Sequence, residues 1–286
     1  MISHYTHSYT TICINESILP NGYTDPMPRV LTPDERARLA AYLVETLVAG
    51  PTKTPRDNAV RNARLLAAGD PDKALGFSFD GLDLQEVMDA VAALCGCSAD
   101  PLDTDGPGYI DPDRTLDELE AMAKRLAKAA AKGERVLICT GHPTGVLTMH
   151  QAVARALHDS GAKVLTPREG ERHSRDHHGR NLRILYLDGV GVLSDGARLL
   201  HTHEAWPMHA LLDAGEPPDL VLADHGFAGA AVERGLETLA FNDVNDPAIA
   251  VAKARRKIDV VVPLDDNVPP GLYAPLASVL VDAIRR

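Results

Sequence analysis

The stretch from Glu134 to Ser160, ERVLICTGHPTGVLTMHQAVARALHDS, constrains the fold most because its period changes at a turn rich in polar residues. Arg135 to Cys139 is an apolar run too short for a helical stripe, whereas Val146, Leu147, Val153 and Leu157 recur at helical spacing before Gly161 closes the segment. The pattern predicts a buried strand, a turn and a helix. Thr140, Gly141, His142, Pro143, Thr144 and Gly145 make the turn. Its glycines allow close approach of another chain or a ligand, and amides at a helix start favour an anion, so phosphate or carboxylate is the first ligand class to consider. A tight strand-to-helix turn uses the same residues for structural reasons alone. The turn is neither a G-x-G-x-x-G nor a P-loop, so no nucleotide-cofactor motif is present.

Beyond Glu134, short Val/Ile/Leu runs alternate with Ala-rich helical patterns. Candidate strands are 135–139, 163–166, 182–187, 220–223, 238–241 and 260–262, most of them followed by a helix. The predicted fold class is α/β, with a mainly parallel Rossmann-like sheet covered by helices on both faces. Residues 29–132 read as a preceding helical region. Thr32-Pro33-Asp34-Glu35 is a helix start, and 56–68, 84–94 and 116–131 carry three more helical patterns. Residues 1–28 show no sustained period and read as a flexible extension. The expected division is therefore 1–28, 29–132 and 133–286. Ser194-Asp195-Gly196 reads as the turn of a hairpin insert, and residues 168–180, with His173, His177 and His178, as a polar surface loop.

In an open parallel sheet, ligands bind beyond the carboxyl ends of the strands. Six successive connections place polar groups there: His142 and Thr144 after the first strand, Asp188 after Leu187, His201 and His203 after the insert, Asp224 and His225 after Ala223, Asp243, Asn245 and Asp246 after Phe241, and Asp265, Asp266 and Asn267 after Pro263. Each has an ordinary alternative. Asn245 or Asp246 suits the cap of a helix opened by Pro247, and His201-x-His203 suits a solvated strand face as well as a divalent cation. Asp224 beside His225 at the end of a buried strand is costly without a partner or a task.

Several segments together resemble an actinobacterial-type family of phosphatases: GHPTG at 141–145, LDGVGVLSDG at 187–196, HTHEAWPM at 201–208, DLVLADHGFAGAAVERG at 219–235, NDVNDPA at 242–248 and VVPLDDNVPP at 261–270. The resemblance is strong over the second half of the chain and loose over the first. It implies hydrolysis of a phosphate ester. LDGVGVLSDG also looks superficially like the haloacid-dehalogenase signature, but Val190 stands where that signature has its second Asp, so an aspartyl-phosphate route at Asp188 lacks a proton donor. The turn is distantly similar to D-glutamate cyclase-like proteins, which makes a lyase or cyclase acting on a small carboxylate the alternative. A non-catalytic phosphometabolite-binding protein is the third reading.

The expectation is a phosphomonoesterase acting on a small intracellular metabolite, with a divalent cation, Mg or Mn, inferred from the clustered carboxylates. Catalytic candidates are His142, Asp188, Asp224 and His225; substrate-binding candidates are Thr140, Gly141, Thr144, Gly145 and Asn245; metal candidates are Asp188, His201, His203, Asp224 and Asp243. A formal charge of −11 with a pI near 5.5 argues against nucleic-acid or anionic-membrane partners and requires an anionic substrate to be held locally. Four cysteines without zinc-site spacing, and no long apolar run, predict a cytoplasmic protein; a homo-oligomer is compatible with all of this.

Overall fold

Thr32 opens the first helix for the reason its sequence suggests: its hydroxyl accepts from the Glu35 amide while the Glu35 carboxylate accepts from the Thr32 amide, 2.8 Å away. The computed structural model describes residues 31–175, 179 and 181–286. The expected extension at 1–28 and the residues His177 and His178 lie outside them. In chain order the described elements are α1 (Pro33–Glu45), β1 (Gly50–Pro55), α2 (Arg56–Ala67), α3 (Pro71–Ala74), α4 (Leu84–Cys95), β2 (Pro107–Ile110), α5 (Pro112–Lys132), β3 (Arg135–Thr140), α6 (Leu147–Asp159), β4 (Lys163–Val164), β5 (Arg172–Arg175), β6 (Asn181–Leu187), β7 (Val190–Ser194), α7 (Trp206–Leu212), β8 (Leu220–Ala223), α8 (His225–Glu233), β9 (Thr238–Asn242), α9 (Pro247–Ala254), β10 (Val260–Pro263) and α10 (Ala274–Arg285).

The main sheet runs β10-β9-β8-β3-β7-β6-β5, with β4 paired to the first residues of β3. From β10 through β7 the strands are parallel, while β6 and β5 are antiparallel additions at one edge. The runs VLIC in β3, LVLA in β8 and TLAFN in β9 are buried throughout, as a strand covered on both faces must be. Helices α5, α6 and α10 pack together on one face, and α8 and α9, backed by α4, on the other. The buried apolar side chains form one cluster reaching from Leu31 to Ile284.

Residues before the main sheet are not all helical. Gly50 pairs with Ile110 and Pro51 with Tyr109 in an antiparallel ribbon of β1 and β2. The prolines that mask these strands in sequence stand in a two-stranded ribbon, where a missing N–H is tolerated at the open edge. The ribbon reaches the main sheet through Thr54 Oγ1, which donates to Asp243 Oδ2 at 3.2 Å, and through the Lys53 amide, which donates to Asp265 Oδ2 at 3.1 Å.

A second departure concerns β6. Asp188 and Gly189 both have positive φ, 49° and 82°, and form the two-residue turn that pairs Leu187 with Val190. Strand β6 therefore runs against its neighbours, and its end faces the opposite rim from the ends of β3, β8, β9 and β10. Ser194 to Leu199 adds a second, longer turn closed by one isolated bridge. Chain order then explains where a cleft forms. From β3 the chain winds through α6 to β4 on one side, and from β7 it crosses through α7 to β8 on the other. The carboxyl ends of β3 and β8 thus flank the point where winding reverses, which is where ligands bind in such sheets.

Candidate active site

Residues from four strand ends and one loop meet at this reversal point. Strand β3 delivers His142, β8 delivers Asp224 and His225, β9 delivers Asp243 and Asp246, and β10 delivers Asp265 and Asp266; the segment after β7 adds His201 and His203. His142 and His201 meet edge to face with ring centres 4.6 Å apart, and His225 lies 4.9 Å from His201 and 5.2 Å from His203. All five aspartates and both His142 and His225 are buried.

His225 is the hub. Its Nδ1 lies 2.9 Å from Asp224 Oδ1, and its Nε2 faces Asp246 Oδ2 at 3.4 Å and Asp266 Oδ2 at 3.7 Å. Its backbone φ of 48° is left-handed, a conformation that costs an imidazole-bearing residue about 1–2 kcal/mol. Asp224 and Asp246 stand at the caps of α8 and α9, yet neither side chain accepts a capping bond. Their carboxylates turn into the cluster instead, which settles the alternative left open for Asp246.

Asp224 is held from behind. Its Oδ1 also accepts from the Gly141 amide at 2.7 Å, and its Oδ2 lies 3.7 Å from Nε2 of the fully buried His150, whose Nδ1 donates to the Val146 carbonyl. Among the described residues, neither Asp224 Oδ2, His150 Nε2 nor His142 Nδ1 has a hydrogen-bond partner.

The electrostatics follow from burial and crowding. Burial alone would lower the His225 imidazole, but Asp246, Asp224 and Asp266 more than offset it and push its pKa up to about 10. Burial opposes the Asp224 carboxylate, yet the His225 bond, His225 and His150 charges and the Thr140 hydroxyl hold it well below the usual range. Burial raises Asp266 to about 8 against the pull of His225, with Asp246, Asp224 and Asp265 adding to the rise. Burial and then Asp266, Asp265 and Asp246 raise Asp243 as well. Burial and the neighbouring imidazoles, His225 first, lower His142, and do the same to His201, down to about 3. Asp243 and Asp266, driven toward protonation, beside His142 and His201, driven toward neutrality, are groups suited to ligate a cation, and His225 must release its proton to join them. Three sets of donors lie within 4.8 Å of one another: His201, His203 and His225; His225, Asp246 and Asp266; Asp243, Asp265 and Asp266.

The family model described as phosphatase matches residues 34–286. The chain belongs to this phosphatase family. Phosphatase SCO2771 of Streptomyces coelicolor is 41% identical over 263 residues, which cover 89% of this chain and 98% of the relative.

In this member of the phosphatase family, the candidates drawn from the sequence divide by position. His142, His201, His203, Asp224, His225 and Asp243 converge at the reversal point. Asp188 does not. It is exposed in the β6–β7 turn on the opposite rim, paired at 2.9 Å with the exposed Arg155, because β6 runs antiparallel. Asp224 belongs to none of the three donor sets and sits behind His225. The turn of Gly141 to Gly145 is also occupied from within. Gly141 donates to Asp224, His142 donates to Thr140 Oγ1 at 3.0 Å and Gly145 donates to the His142 carbonyl, so those amides hold a protein carboxylate and the turn itself. The turn's two glycines permit close backbone crossing: a Cβ at Gly141 would lie 2.5 Å from the Thr202 carbonyl oxygen, and one at Gly145 would overlap the Asp266 carbonyl. Thr144 is exposed at the turn, Thr140 is buried beneath it, and Asn245 is half-buried, its carbonyl accepting from Asn62 Nδ2. Asp246, Asp265 and Asp266 stand in the donor sets although the sequence marked them only as rim or cap residues. Asp72, 3.0 Å from His203 Nδ1, carried no signal at all in the short helix α3. No described helix is long and apolar enough to cross a membrane.

Proposed function

We propose that this protein hydrolyses a phosphomonoester of a small intracellular metabolite with the help of a divalent cation. The observation that carries the reading is His225: Asp224 fixes its Nδ1 and leaves Nε2 facing two carboxylates, an arrangement that orients an imidazole as a ligand. His201, His203, His225, Asp243, Asp246, Asp265 and Asp266 would hold the cation. Mixed nitrogen and oxygen donors favour Mn over Mg. When bound, the cation supplies Lewis-acid polarisation of the phosphoryl group and a water of lowered pKa.

The chain's own groups do the rest. Asp224 is a positioning residue, which fixes the tautomer and ring angle of His225 and ties that ring to the Gly141 turn. His142 handles the proton: burial keeps it neutral, and its Nδ1 faces Asp266, whose Oδ1 lies at 3.8 Å. Thr144, at the exposed lip of the turn, and the half-buried Asn245 offer polar groups to the body of the substrate. With the amides of Gly141, His142 and Gly145 engaged within the protein, the turn offers the phosphate little, and its charge would be met by a cation on the donor residues.

The test is a phosphate-release screen over metabolite phosphomonoesters and a phosphodiester control, with and without EDTA. Release from monoesters that EDTA abolishes is expected. EDTA-insensitive release removes the cation from the reading, preference for the diester removes the monoester class, and saturable binding without turnover selects a binding protein.

A further inference from the structure

The three donor sets form a row, and the row is longer than one ion can span. His201, His203 and His225 share His225 with the middle set, the middle set shares Asp266 with Asp243 and Asp265, and the two end sets have no residue in common. An ion with donors at about 2.0–2.3 Å keeps opposite ligands within about 4.6 Å of each other. Seven residues that fall into three such sets therefore exceed one coordination shell.

The two ends also differ in chemistry. One end offers three imidazoles, and the other offers three carboxylates. The outer carboxylates are fixed from outside the row: Asp243 accepts from the Val244 amide and from Thr54 Oγ1, and Asp265 accepts from the amides of Asn267 and Lys53. Each oxygen keeps a second lone pair, and the bonds orient it as such partners orient metal ligands. Asp266 lies between the ends, with Oδ2 3.7 Å from His225 Nε2 and Oδ1 3.8 Å from His142 Nδ1. Independently of the acids, His142 Nδ1 is a buried ring nitrogen with no hydrogen-bond partner among the described residues, and it points at Asp266. Buried polar atoms are left unbonded only where something else satisfies them.

We propose that the rim is a two-cation centre, with one ion on His201, His203 and His225, a second on Asp243 and Asp265, and Asp266 reaching both. This rests on the cation-assisted reading above and extends it. Two cations bridged at one carboxylate suit a dianionic phosphomonoester, whose oxygens can be shared between them.

The test uses the full chain, stripped with EDTA, dialysed and titrated with MnCl2. Equilibrium dialysis with elemental analysis counts bound Mn per chain, and low-temperature electron paramagnetic resonance reports whether bound ions are exchange-coupled. Two equivalents with a coupled multiline spectrum are expected in the parent protein. His201→Ala, at an exposed position, and Asp265→Asn should each lower the count from two to one at the same free Mn concentration, and Asp266→Asn should abolish the coupling. One equivalent together with EDTA-sensitive phosphate release overturns the two-cation centre and leaves a single-cation enzyme standing. No bound Mn together with EDTA-insensitive release overturns both readings. Two uncoupled equivalents overturn the shared carboxylate. The parent spectrum needs no variant to fold.

Discussion

Replacing Asp224 separates a residue that ligates a cation from one that aims a ligand. Asp224 is buried to 2% exposure, and its Oδ1 accepts from the Gly141 amide at 2.7 Å and from His225 Nδ1 at 2.9 Å. In Asp224→Asn the amide oxygen keeps both bonds, and the new amide group can donate to His150 Nε2, which now has no partner. The charge assistance lost on the two bonds, roughly 1 kcal/mol each, is offset by the smaller cost of burying a neutral group. The melting temperature of the cation-free protein should therefore stay within roughly 3 °C of the parent. Asp224→Ala leaves two buried donors unpaired at about 1–3 kcal/mol each, which for a chain of this size lowers the melting temperature by roughly 5–15 °C. Function should split the other way. Loss of an outer orienting carboxylate weakens metal binding about 10–100-fold, or about 1.4–2.7 kcal/mol, whereas loss of a ligand costs more. Melting curves over a MnCl2 series give the affinity, and phosphate release at saturating Mn gives the rate. Asp224→Asn with parental Mn affinity and parental rate would refute the orienting role, and a loss of affinity as large as that of His225→Ala would make Asp224 a ligand itself.

Three further outcomes follow from the same geometry. For the cation-free protein, His225 is held up at about 10, so the stability it contributes is complete below its unfolded value near 6.5 and is lost as pH rises through 10. Asp266 is raised from 3.8 to about 8, so it destabilises the fold progressively as pH rises between those values. Both act in one direction, while His142, His150 and His201, held low, oppose the fold only below their unfolded value of about 6.5, so differential scanning fluorimetry in EDTA should show the melting temperature falling above about pH 7.5, with added Mn flattening the slope; a rising profile there contradicts the assignment. Asp188→Asn keeps a residue that tolerates left-handed φ and loses only a surface pair worth about 0–1 kcal/mol, so phosphate release should be unchanged; a tenfold loss of rate would return Asp188 to the site. Gly141→Ala forces a Cβ against the Thr202 carbonyl and His225, which should destabilise the protein by about 1–3 kcal/mol in chemical denaturation; parental stability would mean that the turn yields freely.

How much of this is legible before folding depends on whether a residue's role is local. The parallel strands are legible because VLIC, LVLA, TLAF and VVV are apolar on both faces, and the rim follows once strand direction is known. Direction failed at one place. Asp188-Gly189 between LYL and VGVL is a two-residue hairpin signal, but reading 182–187 as one more parallel strand put Asp188 on the carboxyl rim and hid the turn. The β1–β2 ribbon was hidden by its own prolines and by the lack of any apolar residue of Val, Ile or Leu type in GPTKTP. Asp246 before Pro247 obeys the rules of a helix cap, and only the three-dimensional position of His225 reveals that its carboxylate points elsewhere. Asp266 is one of two adjacent aspartates, and no sequence rule selects which of them faces His225.

In the GHPTG turn one amide, that of Gly141, bonds a negative charge within the protein, the carboxylate of Asp224, and that contact shapes the rest of the site. A buried carboxylate bonded to the turn and to His225 locks β3, β8 and the imidazole into one unit, which helps to hold the left-handed backbone at His225. It also leaves four further buried aspartates, Asp243, Asp246, Asp265 and Asp266, at the reversal point, on a chain whose formal charge is already −11. Like charges at such spacing repel strongly when water is excluded. A phosphate dianion can enter only where the sign of that field has been reversed, and neither the single positive charge of His225 nor the neutral His142 and His201 can reverse it. On the cation-assisted reading proposed above, the reversal would fall to cations held between the histidines and the aspartates, and substrate binding and cation binding would be the same event viewed from two sides.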